Sequence, residues 1–286
     1  MLGVDLLETR ELRYFVTVAE ELHFSRAAER LGIAQPPLSR AIQQLERRLG
    51  VTLLDRDRRG VALTDAGQVL LEEARAVLDG AAAAARRTRR AASSTGRLTL
   101  ATKAGANHEL LQRLLDAHGA EVEVLLCGMG EQALMLRDGR ADVALMQRPF
   151  DALAGFDTED LLTERQVAIV PAAHPLAARS SLTMAEVAAV PDLPVARWPG
   201  QDGVYEPGPG PEIHDLSQLA QLIALGHTSA VLCASSRTWL WSAHAAIPLV
   251  DAPRVTTVLA WPPHSRSRLL ADLVRTAGQL DRPEAG

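Results

Sequence analysis

Apolar positions at the start of the chain recur at helical spacing. Leu12, Phe15, Val16, Ala19 and Leu22 share one face over residues 9–22, which predicts a helix packing beneath the next two helical segments. Ala27, Ala28 and Leu31 give a short apolar face over residues 24–31, and Gly32 supplies a turn. Gln35-Pro36-Pro37 then opens a further helix, since proline is tolerated in a first turn whose amides have no intrahelical partner. Within it Leu38, Ile42, Leu45 and Leu49 form one buried stripe. At about 100° per residue, Pro36, Arg40, Gln43 and Arg47 face the opposite way. Val51–Thr64 places short apolar runs on either side of DRDRRG, predicting a two-stranded wing of Leu53-Leu54 and Val61–Leu63. Thr64 is a good N-cap, and Asp65 suits the positive end of a long helix running to about Ala92. Along that helix Leu70, Ala74, Val77, Ala81 and Ala84 recur at four and three residues, a seam of coiled-coil period through which two copies can approach closely. Ser93-Ser94-Thr95-Gly96 ends it and marks a domain boundary.

From Arg97 the pattern changes to alternating strands and helices. Strands are expected at Leu98–Thr102, Glu121–Leu126 and Asp142–Met146, with helices at Glu109–His118 and Glu131–Asp138 between them. This order predicts a parallel α/β sheet. Gln166–Pro171 begins a second such unit, with helices at Thr183–Val190 and Leu216–Leu225 and strands near Val195 and at Ala230–Ala234. A returning strand is expected at Val255–Trp261 and a last helix at Arg266–Leu280. The Gly/Pro-rich run Pro199–Pro211 reads as an irregular loop at the surface or over a cleft.

Charge adds a direction to this plan. The 286 residues carry a net charge of −5, yet Phe24–Gly60 holds eight arginines against four acids. A basic head on an acidic body fits nucleic-acid contact confined to one end. No apolar run approaches the length of a membrane span, and the N-terminus lacks a signal-peptide pattern, so a cytoplasmic protein is expected. Cys127 and Cys233 are isolated thiols, expected to be reduced and buried. Gly128 and Gly130 do not complete a dinucleotide fingerprint, there is no phosphate loop, and the eight histidines have no metal-site spacing. Neither an enzyme nor a cofactor is expected.

Two short helices, a glycine turn and a polar outer face on the second helix match a DNA-reading helix-turn-helix. Arginine pairs bidentately with guanine and glutamine with adenine, so this face has the chemistry to read a major groove. A helical hairpin with a solvated polar face shares the pattern. The longer run AAERLGIAQPPLSRAIQQLERRLGVTLLDRDRRGVALTDAG is more specific, above all AQPPLSR, the LE..LG after it and the closing LTDAG. It resembles the N-terminal domain of LysR-type transcriptional regulators, closely over residues 9–92. GRLTLAT, LRDGRADVAL, HPLA at His174–Ala177 and ALGHTSAVL resemble that family's effector-binding domain more loosely.

The resemblance implies an α+β protein. A winged helix-turn-helix would occupy residues 1–63, a linker and dimerisation helix 64–95, and a periplasmic-binding-protein-like effector domain 96–286. That last domain would comprise two α/β subdomains, about 96–160 with 255–286, and about 161–254. The chain would cross between them near Thr158–Leu162 and Asp251–Val255. Its partners would be double-stranded DNA, a small-molecule effector and a second or fourth copy of itself. Expected DNA contacts are Ser25, Arg26, Gln35, Pro36, Pro37, Ser39, Arg40 and Gln43. Arg40 would touch a base edge, while Arg56 and Arg59 of the wing would reach phosphates or a narrowed minor groove. Open α/β sheets bind ligands at strand ends, which nominates Thr102, Lys103, Asn107, Gly128, Met129, Arg148 and Arg197 for the effector. Gly105 and Met129 stand where relatives that sense aromatic acids carry hydroxyls, which argues against an aromatic acid. Lys103, Arg148 and Arg197 would suit some other organic anion. A solute-binding module with an unrelated helical appendage is the rival reading.

Overall fold

The computed structural model describes residues 7–57, 60–92, 97–200, 203–263 and 265–280. Two compact units divide the chain near Arg89.

The first unit opens with α1 (Thr9–Glu21), α2 (Phe24–Leu31) and α3 (Gln35–Leu49). Leu12, Phe15, Val16 and Ala19 of α1 are buried against Ala27, Ala28, Leu38, Ile42 and Leu45. Leu22 departs from the expected face. It ends α1 in the left-handed region at φ 47° and is exposed, because a C-cap residue turns away from the stripe of its helix. A salt bridge between Glu11 and Arg48 joins α1 to the end of α3.

The wing is an antiparallel pair, β1 (Leu54–Asp57) and β2 (Gly60–Leu63), in the register Leu54 to Leu63. Its attachment explains the LE..LG motif. Glu46 Oε1 accepts the amides of Leu53 (2.9 Å) and Leu54 (3.2 Å), while Gly50 closes α3 in the left-handed region at φ 70°. Thr64 caps α4 (Asp65–Ala92) by accepting the Gly67 amide on Oγ1. Gly67 itself lies against the wing. A Cβ there would fall 2.1 Å from Leu53 O and 2.9 Å from Leu63 Cδ2. Gly67→Ala should therefore force α4 off β1 and cost the head about 1–3 kcal/mol. An unchanged denaturation midpoint for this unit would show that the strand yields instead.

The expected seam on α4 divides into two parts. Ala74 is buried in the head core and Leu70 packs against it, whereas Val77, Ala81 and Ala84 are exposed.

The second unit contains two sheets. The first has the order β4-β3-β5-β10-β6, from β3 (Leu98–Lys103), β4 (Val122–Cys127), β5 (Val143–Arg148), β6 (Asp157–Glu164) and β10 (Val255–Trp261). The three strands β3, β4 and β5 are parallel, and β10 runs antiparallel to β5 and β6. Leu98 and Leu100 pack with α5 (His108–His118) and α9 (Arg268–Gln279). Ala101, Ala144 and Met146 pack with α6 (Gln132–Arg137). Both faces are thus covered, and all six residues of β3 are buried, Thr99, Thr102 and Lys103 among them. Asp142, in the RADVAL motif, accepts the Thr99 amide on Oδ2 at 3.0 Å and binds β5 to β3.

The second sheet, of order β8-β7-β9, comprises β7 (Gln166–Pro171), β8 (Ala230–Cys233) and β9 (His244–Pro248). It is antiparallel throughout, which corrects the expected parallel unit. Val195 contributes only a single bridge to Ser229. The helices α7 (Met184–Ala188) and α8 (Leu216–Ala224) are capped by Thr183 and Asp215, and His174 of HPLA accepts the Leu176 amide.

Thr158–Leu162 is not a passage between sheets. These residues form the middle of β6 and pair with β10, so the chain leaves the first sheet at Arg165. It returns after β9, through 249–254. The two passages lie side by side. Leu249 donates its amide to Gln166 O (3.1 Å), and Gln166 Nε2 donates to Pro253 O (2.9 Å).

Candidate functional site

On the head, α3 starts after Ala34 with prolines in its first turn. Pro36 and Pro37 contribute no amide there, so the sharp start comes from their fixed φ. Leu38, Ile42 and Leu45 are fully buried, which leaves Gln35, Pro36, Pro37, Arg40, Gln43 and Arg47 exposed and Ser39 half-buried. Arg40 Nε lies 3.4 Å from Pro36 O, a contact along its own helix. Ser25 and Arg26 sit exposed at the start of α2, where His23 accepts the Arg26 amide. The Arg26 guanidinium is drawn back onto Glu21, with Nε 3.5 Å from Oε2. The exposed row on α3 therefore offers a donor-rich surface on a helix whose opposite side is locked into the core. The Arg56 side chain and Arg59 lie outside the described residues.

In the second unit a cavity of about 410 Å³ opens between the two sheets. The first sheet's side contributes Lys103, Met129, Met146, Gln147, Phe150 and Asp151, and the other contributes Trp198, Val231, Leu232 and Cys233, with Gln166 at the passage between them. Lys103 is 4% exposed. Its Nζ lies 2.9 Å from Asp151 Oδ2 and 3.4 Å from Gln147 Oε1. The same Asp151 oxygen accepts the Gln147 amide at 2.7 Å. Gln147 Nε2 in turn is 3.4 Å from Cys233 Sγ.

Of the seven residues nominated from strand ends, Lys103 and Met129 line this cavity. The others do not line it. Thr102 is buried in β3 with no hydrogen-bond partner for its hydroxyl among the described residues, while Cys127 on β4 donates its thiol to Thr102 O. Asn107 starts α5 at φ 55° and accepts from Thr257 Oγ1. Gly128 donates its amide to Glu131. Arg148 ends β5 and pairs with Asp160 at the surface. Arg197 anchors the Gly/Pro-rich loop instead of facing the cavity. Its guanidinium donates to Gly210 O (2.6 Å) and Glu206 O (2.7 Å) and meets Glu212 Oε1 at 3.2 Å. The strand-end rule missed Asp151, Gln166, Trp198 and Phe150, because loops and the opposite sheet supply them. One sequence signal bore on Asp151. Lys103 is the chain's single lysine, and a buried ammonium calls for a carboxylate nearby.

Both cysteines are buried and unpaired with each other. Burial pushes the Cys127 thiol up to about 11 and Cys233 up to about 12, with Glu131 and Glu164 adding to the rise. Neither is a ready thiolate near neutral pH. No group of three or more metal-binding side chains occurs among the described residues, and no described helix is long and apolar enough to cross a membrane.

Residues 9–68 match the family model described as bacterial regulatory helix-turn-helix protein, lysR family, and residues 91–281 match the LysR substrate binding domain. The second match alone covers more than half of the chain. The chain belongs to the LysR family of DNA-binding transcriptional regulators. Among its LysR relatives, the Hca operon transcriptional activator HcaR of Escherichia coli is 38% identical over 63% of this chain and 62% of that protein, under two thirds of the relative's length. The HTH-type regulator YnfL of Escherichia coli is 32% identical over 90% of this chain and 93% of its own. The crystal structure of CbnR, a LysR family regulator, matches with a TM-score of 0.60 at 25% identity, covering 95% of this chain and 98% of CbnR. CbnR complexed with its target DNA matches with a TM-score of 0.58.

Proposed function

We propose that this LysR-family chain works in the cytoplasm as a homodimer or a dimer of dimers that reads an operator through α3. Its DNA contact would respond to a small molecule held in the cavity between the two sheets. The observation that carries this reading is the pairing, in one chain, of an exposed Arg/Gln row on a core-locked helix with a cavity walled by two separate sheets. Arg40 is assigned to a base edge, and Gln35, Pro36, Pro37, Ser39, Gln43, Ser25 and Arg26 to positioning or flanking contacts. Arg56 and Arg59 are assigned to the backbone beside the recognition helix.

For the effector, Lys103 and Met129 remain and Gln147, Asp151, Gln166 and Trp198 join them. Lys103 is matched by Asp151, and Arg197 by Glu212 and two carbonyls, so neither supports an organic anion as a lone counter-charge would. A ligand here alters DNA contact only if its affinity differs between two arrangements of the sheets. Purified protein should retard DNA taken from upstream of its own gene, and unlabelled copies of that fragment should compete better than unrelated DNA. Equal competition by both would favour the solute-binding module with a helical appendage.

A further inference from the structure

The polar corner of the cavity carries one positive and one negative charge. Among its described lining residues, Lys103 and Asp151 are the only ionisable side chains apart from the Cys233 thiol. Both side chains are almost wholly enclosed, at 5% and 6% exposure, and their charged atoms are 2.9 Å apart. The rest of the wall is mainly apolar: Met129, Met146, Pro149, Phe150, Trp198, Val231 and Leu232, interrupted by Gln147 and Gln166. In such surroundings a net charge brought in by a ligand is poorly screened. An anion would gain from Lys103 but meet the Asp151 carboxylate beside it, and a cation would meet the reverse. An ammonium has three donors and a carboxylate two acceptor oxygens. Lys103 therefore keeps donor capacity beyond Asp151 and Gln147. Asp151 engages its protein partners through Oδ2, which leaves Oδ1 as the acceptor beside that donor.

From this geometry we infer that the cavity selects a small molecule without net charge, carrying a hydrogen-bond donor and acceptor side by side on an apolar body, as a primary amide does. The inference rests on the proposed effector role of this cavity and narrows its ligand class. The ion pair acts as a fixed dipole that an amide spans, with its carbonyl toward Lys103 and its N–H toward Asp151. The isosteric carboxylate supplies acceptors only, so it leaves Asp151 facing an acceptor and adds an uncompensated charge.

The single lysine allows a direct readout. Full-length protein labelled with 15N-lysine gives one backbone amide signal, from Lys103. Two matched pairs serve as probes: phenylacetamide with phenylacetate, and hexanamide with hexanoate. In wild-type protein the amides should move the Lys103 signal and bind about tenfold or more tightly than their carboxylates. Asp151→Asn leaves Lys103 without its counter-ion and should reverse that order. If Asp151→Asn does not fold, the double variant Lys103→Gln/Asp151→Asn, which carries no lysine and is therefore followed by calorimetry, removes both charges and should retain the wild-type order. Carboxylates binding wild-type protein as tightly as amides would overturn the inference, as would no response to any of the four. Met129→Trp, which adds bulk at the cavity wall, separates this from failure of the cavity reading itself. A carboxylate preference that Met129→Trp abolishes keeps the cavity and removes the selectivity. Binding undiminished in Met129→Trp places the ligand elsewhere and removes both.

Discussion

Val77→Glu should leave the protein monomeric in sedimentation experiments and abolish tight operator binding. Val77 is 48% exposed on α4, although its neighbours Leu71 and Ala74 turn into the head core. With Val69, Ala76, Gly80 and Ala84, which are also exposed, it forms a stripe of small or apolar side chains along the outward side of the helix. Nothing lies within 4 Å of where a Cβ on Gly80 would stand. A partner helix packing there would bury the new carboxylate with no cation to meet it, and that cost exceeds what a mainly alanine seam contributes. Monomers would reach the operator one half-site at a time. Losing the linked second contact weakens binding by roughly 10²–10⁴-fold. Val77→Ala, which keeps the stripe apolar, should remain dimeric. A Val77→Glu protein that also stayed dimeric would move the interface off α4.

Arg40→Ala should weaken binding to the cognate operator by about 1–3 kcal/mol and relax preference at one base pair. The side chain is exposed and contacts only the carbonyl of Pro36 on its own helix among the hydrogen bonds described. Its removal should therefore leave the head's melting temperature within experimental error, so that lost affinity reports DNA contact. Competition with operators altered at single positions would show the relaxed base. A variant at Arg56 or Arg59 should behave differently, weakening all sequences alike and flattening the dependence on salt. If Arg40→Ala leaves both footprint and affinity unchanged, the docking of α3 proposed here is wrong.

The head was legible because its burial follows a single helical period. Leu38, Ile42 and Leu45 are fully enclosed where the stripe predicted, and the residues opposite are exposed. Leu22 failed because the helix ended one residue earlier in a left-handed turn, a backbone event that apolar spacing does not record. The motif residues were visible without their reasons. Glu46 holds the wing through two amides, and Gly67 is where α4 meets the backbone of Leu53. In the second unit, strands with continuous apolar runs were easy to place, but β6 reads DTEDLLTE and is mostly polar, so it passed for a connection. Its pairing with β10, a strand about a hundred residues later, supplies the stabilisation that its own side chains do not. Strand direction was equally hidden, since β7 and its neighbours look alike whichever way they run. The cavity was read from one wall only. Lys103 ends one strand of the first sheet and Met129 follows another, while Trp198, Leu232 and Cys233 come from the facing lobe, and Asp151 from a loop after β5.

The adjacent passages between the two sheets have a mechanical consequence. Because the strands cross at Arg165 and again through 249–254, laced by Gln166 and Leu249, the lobes share a narrow spine like that of a book. The bond from Leu249 continues the β7–β9 pairing within the second lobe, whereas the bond from Gln166 Nε2 ties that lobe to the returning passage, so relative motion of the lobes is concentrated at Arg165 and 249–254. Gln166 belongs to that spine and also lines the cavity. A molecule that contacts Gln166 therefore bears on the returning passage through the bond from Gln166 Nε2 to Pro253 O. Two ligands of equal affinity that differ only in whether they reach Gln166 would differ in whether they load that spine.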